Sequence, residues 1–257
     1  MKRFSLLVMI ALVTLLSARA GTIPVSFTSS GVTPDFGQEY LPAWGNSWCA
    51  PAAAADGIYW LSEQGNAGLL QGYPSGNNSD ASVLITQLGN DMGTTAYGGT
   101  SAAGIVSGLD TYLSTYGGGK AYSVSLTYAD QVGGGLNLLE AMELDLMAGQ
   151  DVLALIVWNG STTGHVVEIT GWNSQGITIN DPFTQVNQLN WSNENLTATT
   201  VGYDAGGIEI NYVTGGGTID GFVDIGETSN PVPEPGTLIL VGLGVTFLSN
   251  RVRSAKG

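Results

Sequence analysis

DVLALIVWNGSTTGHVVEITGWNSQGITIND, residues 151–181, reads as three short strands in succession: Val152–Trp158, His165–Trp172 and Ile177–Asn180. Each is rich in β-branched or aromatic residues and is bounded by Gly, Asn or Asp. Two more strands of the same kind follow, Ile208–Val213 and Ile219–Ile225. Toward the N-terminus the pattern turns helical. Ala50–Ser62 is an Ala-rich helix with Pro51 in its first turn, where a missing N–H costs nothing. Further helices are expected at Ser79–Asp91, Ser101–Thr115 and Leu136–Ala148, the last with Leu138, Leu139, Met142 and Leu146 on one stripe. Gly-rich breaks at 98–99, 117–119 and 133–135 separate them. Helices first and strands second predict an α+β fold, an N-terminal helical half packed on a C-terminal antiparallel sheet with a cleft between them.

The two ends of the chain do not belong to that body. Met1–Ala20 has a basic start (Lys2, Arg3), an apolar run from Phe4 to Leu16 and an A-x-A site at Ala18-Arg19-Ala20, the pattern of a cleavable signal peptide. Residues 21–230 form one domain, large enough for a sizeable core. Residues 231–257 form a separate segment: a Pro-rich break, an uncharged run and a basic tail of Arg251, Arg253 and Lys256. Its apolar core, Leu238–Leu248, is shorter than the roughly 18 to 20 residues that span a bilayer.

With the ends set aside, Lys120 is the one basic residue of the body, set against 20 of the 21 carboxylates that lie between Asp35 and Glu234, Glu234 itself falling in the C-terminal segment. Such a surface repels phosphate backbones, so a nucleic-acid partner is excluded. It also favours basic peptides over acidic ones as ligands. A single cysteine, Cys49, forms no intrachain disulfide, and the fold must be held by its core.

The C-terminal segment resembles the PEP-CTERM sorting segments of Gram-negative bacteria. The resemblance rests on Val232-Pro233-Glu234-Pro235-Gly236-Thr237, the glycine-interrupted apolar stretch and the basic tail, in that order. It implies processing by an exosortase-type membrane enzyme, a transient membrane contact through the tail, and release to the cell surface, outer membrane or an exopolysaccharide matrix.

Cys49 stands immediately before the first helix, in Asn46-Ser47-Trp48-Cys49-Ala50-Pro51. There a sulfur can face unpaired N–H groups and the positive end of the helix dipole, both of which favour thiolate. His165, the only histidine, opens the strand after the loop 160–164. If that strand and the next, Ile177–Asn180, form a hairpin through Asn173–Gly176, its far ends meet, and Asn180 or Asp181 returns beside His165. Nucleophile, base and orienting group would then be assembled.

These residues resemble the papain-like cysteine peptidase superfamily, and most closely its bacterial branch that includes the peptidases cutting double-glycine leaders. The similarity covers Trp48–Leu61 and Asp151–Asp181, with the nucleophile heading a helix, an H-V-V-x-I-x-G strand and a later Asp-Pro. It implies a papain-like fold, with Cys49 as nucleophile, His165 as general base and Asp181 as the orienting group. The superfamily carries a Gln about six residues before the Cys as an oxyanion donor; here that position is Ala43, and Asn46 or Gln38 would have to substitute. Losing such a donor costs on the order of 10²–10³ in turnover.

Each residue alone has a plainer reading: Cys49 as a small buried apolar side chain, His165 as a structural histidine, and Trp44, Trp48, Trp60 and Trp172 mostly as core. A single His with scattered carboxylates offers no metal-ligand spacing, and no cofactor is implied. The glycine clusters lack the strand and lysine context of a phosphate loop and read as loops. The functional expectation is an exported cysteine peptidase acting on peptide or protein substrates. The alternative is a non-catalytic surface or matrix protein that keeps the fold.

Overall fold

The helical pattern before residue 120 is realised as three helices, α1 (Cys49–Glu63), α2 (Asn78–Asp91) and α3 (Ala102–Tyr116). The structure, a computed structural model, describes residues 27–28, 34–38, 47–70, 78–133, 136–173, 176–183, 194–201, 208–212 and 215–228. The expected signal peptide, Ala43, Asn46 and the whole segment 231–257 lie outside the described residues.

The alanines of α1 leave no bulk on any side, so the helix is buried all round; Ala52, Ala53, Ala54, Ala55 and Ile58 are fully inaccessible. Small residues also let its neighbours come close. The Trp48 ring lies against Gly89 of α2, where an added Cβ would stand 2.1 Å from the indole. Ser101 caps α3 by accepting the Gly104 N–H at 3.0 Å.

A strand that the sequence reading did not anticipate follows α3: β2, Tyr122–Tyr128, before the helix α4 at Leu138–Met147. The remaining strands are β3 (Asp151–Trp158), β4 (Gly164–Asn173), β5 (Gly176–Asn180), β6 (Glu194–Val201), β7 (Ile208–Tyr212) and β8 (Gly215–Glu227), with a short β1 at Phe27–Thr28. All pairings among them are antiparallel, in the order β1-β4-β3-β8-β7-β6-β5, and β5 also pairs with β4. That extra pairing closes β3 to β8 into a six-stranded ring. The long β8 serves two partners on one edge, β7 along Gly215–Ile219 and β2 along Gly221–Glu227.

Alternation along β3 and β8 divides the core into two. Leu153, Val166, Val223 and Ile225 face α1, α2 and α3, whereas Val152, Ala154, Ile156, Val167, Ile169 and Phe222 meet α4 through Leu138, Met142 and Leu146. Sheet faces buried on both sides explain why β3 reads as an almost unbroken apolar run. The expected division into a helical half and an antiparallel half is what the chain adopts. Two strands cross that division: β1, which precedes the helices and pairs with β4, and β2, which follows α3 in sequence and pairs with β8.

Candidate active site

Helix α1 begins at Cys49 with no side-chain acceptor in front of it, since its N-cap is Trp48 and its first turn has no acidic residue. Its orphan N–H groups are therefore available to the sulfur, and the Ala50 N–H hydrogen-bonds to it. Strand β4 arrives from the opposite half and adds a second backbone donor, Val166 N–H, and the His165 ring. Cys49 is half-buried, while His165 and Asp181 are 7 % and 2 % exposed.

His165 Nε2 lies 2.6 Å from Asp181 Oδ1. The carboxylate is aimed by the backbone, because the same oxygen accepts the Phe183 N–H at 2.9 Å. With Nε2 engaged, Nδ1 is the ring nitrogen available to the Cys49 sulfur, with which the imidazole also hydrogen-bonds. The structure thus brings together the three residues that the sequence singled out. The open choice between Asn180 and Asp181 is resolved by the hairpin register: Asn180 pairs with Glu168, and Asp181, one residue beyond the strand, reaches the histidine.

Burial pushes the Cys49 thiol up, but the hydrogen bond and charge of His165, with the Val166 and Ala50 N–H groups, outweigh it and leave the pKa below its ordinary value. Burial likewise pushes His165 down, yet its hydrogen bonds to Asp181 and Cys49, with their negative charge, raise it to about 9. Both shifts favour the thiolate–imidazolium form of the pair over the neutral one. Among the described residues no group of His, Cys, Asp or Glu is arranged to hold a metal ion.

Two aromatic rings enclose the imidazole. Trp158 stacks on it with centroids 5.7 Å apart and planes 19° apart, and Phe183 meets it edge-on at 6.4 Å. Neither ring was picked out from sequence. The signal was the β3–β4 pairing, in which Ile156 faces His165 and Trp158 opens the returning turn. Gln38 is anchored beside the same end of the site, its N–H donating to Pro182 O at 2.9 Å, and its carboxamide Oε1 is buried without a hydrogen-bond partner. A cavity of about 530 Å³ between α3 and β2, lined by Asp110, Leu113, Lys120 and Tyr122, contains none of these residues.

Comparison with known proteins adds one decisive match: residues 231–254 fit the PEP-CTERM protein-sorting motif. The chain carries a PEP-CTERM sorting segment. It is an exported bacterial protein, sorted by an exosortase through this PEP-CTERM tail. No curated protein matches it. Among solved structures this chain is similar to a fragment of prointerpain A from Prevotella intermedia, at 13 % identity and a TM-score of 0.46, over 80 % of this chain and 74 % of that one. It is also similar to the active wild-type interpain A cysteine protease of the same organism, at 11 % identity and a TM-score of 0.43, over 78 % of this chain and 94 % of the other.

Proposed function

We propose that the domain is an exported, papain-like cysteine peptidase in which Cys49 is the nucleophile, His165 the acid and base, and Asp181 the group that orients the imidazole. The observation that carries this reading is the single histidine of the chain bridging its single cysteine and a buried carboxylate. Chance burial of a lone Cys and a lone His has no reason to bring them into contact at a helix N-terminus.

The thiolate attacks the scissile carbonyl carbon, forming a C–S bond as the carbonyl electron pair moves onto oxygen. Collapse of that adduct breaks the C–N bond, and the His165 imidazolium gives its proton to the departing amine. A water molecule, deprotonated by His165, then attacks the thioester, and the C–S bond breaks to release the carboxylic acid and restore the thiolate. The developing oxyanion needs donors. Backbone N–H groups at the start of α1 supply one, and Gln38 is the side-chain donor we favour because it is anchored at Pro182, with Asn46 as the alternative.

The Ala43 position favours a second reading, a surface or matrix protein that retains the fold without turnover. One experiment separates the two. The purified protein is assayed on a Lys/Arg-rich and on an Asp/Glu-rich fluorogenic peptide, in parallel with Cys49→Ala. Cleavage of the basic peptide that disappears in the variant supports the peptidase; cleavage unchanged in the variant, or none by the native chain, overturns it.

A further inference from the structure

Beneath the site lies a second polar cluster, built from carboxyl groups that the proposed chemistry does not use. Asp56 lies two turns along α1 from Cys49, Glu168 three residues beyond His165 on β4, Asp151 at the start of β3, and Asp35 in the segment 34–38. All four are buried, Asp56 completely.

Their partners stitch separate parts of the chain together. Asn180 Nδ2 donates to Glu168 Oε2 at 2.8 Å and to Pro34 O at 2.9 Å. Asp56 Oδ1 accepts the Phe36 N–H at 2.9 Å. Glu168 and Asp151 hydrogen-bond to each other through their side chains, and Asp151 Oδ2 presses on α1 at Gly57, where an added Cβ would stand 1.8 Å from it. Asp56 Oδ2 and Asp151 Oδ2 have no hydrogen-bond partner.

Among the described residues, every charged group acting on the cluster is acidic. Asp35, Glu168 and Asp151 act on Asp56, and Asp224 of β8 acts on Asp151, with Asp145 of α4 facing Asp224 in turn. Lys120, the one basic residue of the body, is spent at the surface on Glu227 at 2.8 Å. Two carboxylates can hydrogen-bond only if they share a proton, and a buried carboxylate with no cation at hand is relieved by protonation.

We propose that Asp56, Asp151 and Glu168 form a proton-dependent latch that holds α1, β3, β4 and the segment 34–38 in the register where Cys49, His165 and Asp181 meet. In its protonated form the latch is closed, and loss of its protons loosens that register. Burial, then the neighbouring carboxylates, raise Asp56 and Glu168 well above the usual carboxylate range, and burial raises Asp151 to about 7. Glu168 is thereby a positioning residue, acting through Asn180 on the adjacent Asp181.

The folded protein keeps protons that the unfolded chain releases near pH 4, so the contribution is fully present below about pH 4 and is lost as pH rises through the folded pKa values. The latch needs no turnover, and only its effect on catalysis rests on the peptidase reading. The test follows the melting temperature of the full chain from pH 5 to 9, together with the rate of Cys49 alkylation by iodoacetamide. Each retained proton makes Tm fall by about 3 to 5 °C per pH unit across the window. Glu168→Gln, which keeps the hydrogen-bonding shape but does not ionise, is expected to flatten that slope and to shift the pH profile of Cys49 alkylation. Asp56→Asn is expected to do the same, and carries the test if the first variant does not fold. A flat native curve, or variants with the native slope, would overturn the latch. Loss of peptide cleavage with the slope intact would strike only the peptidase reading.

Discussion

Cys49 and Asp56 sit seven residues apart on α1, and His165 and Glu168 three apart on β4, yet the two clusters they build carry charge in opposite ways. At the rim, Cys49 and Asp181 flank an imidazole whose pKa is raised to about 9, so a positive charge stands between the two acidic groups. Deeper down, carboxyl groups face only one another, and protons take the place that cations would fill. The contrast follows from a body with one lysine and no arginine, in which His165 is the only side chain that can supply a cation in the interior.

Removing that cation should have the largest effect. His165→Ala returns Cys49 to an ordinary thiol, so its alkylation by iodoacetamide at pH 6 should slow by about 10²-fold. An unchanged rate would mean that the helix end alone makes the thiolate, and the distinction between the clusters would fall. In the native protein the reactive ion pair should vanish above about pH 9, as His165 loses its proton. His165 also stabilises the fold by a term complete below its unfolded pKa of about 6.5 and lost as pH rises through 9. Both clusters thus weaken in alkali, and only variants at Glu168 or Asp56 tell them apart.

Crowding the deeper cluster should come next. Gly57→Ala drives a methyl group into the Asp151 carboxyl and should cost about 2 to 3 kcal/mol in denaturant unfolding. A neutral result would show that the carboxyl can step aside without loss. The smallest effect is expected at the surface. Lys120→Ala breaks a partly exposed ion pair with Glu227 and should change stability by less than about 1 kcal/mol, with the difference fading in salt.

Much of the rim was legible from residues 151–181, because a hairpin between β4 and β5 forces its far ends together whatever surrounds it. The same local logic identified Cys49 as the head of a helix with nothing else at its cap. The aromatic enclosure was not legible, since Trp158 reaches His165 across a turn rather than along a strand. Nor was the buried carboxyl cluster, although Asp56 within an Ala-rich helix and Glu168 within Val166-Val167-Glu168-Ile169 were visible as charges in apolar surroundings. With no partner nearby in sequence, nothing marked them as members of one cluster. β2 was missed for a related reason: Tyr122–Tyr128 is a strand because the second half of β8 lacks a neighbour on one edge, and that vacancy exists only once β7 has paired with the first half.

The amino-acid sequence by itself determined the order of helices and strands, the acidic body with its single cation-forming histidine, and the sorting segment at residues 231–254, because periodicity, composition and contiguous motifs are properties of neighbours along the chain. Only the tertiary structure decided which carboxylate meets His165, which rings cover it, and that four acidic side chains share one interior. Those are meetings between residues far apart in sequence, and they depend on strand register and on the space that alanines and glycines leave open.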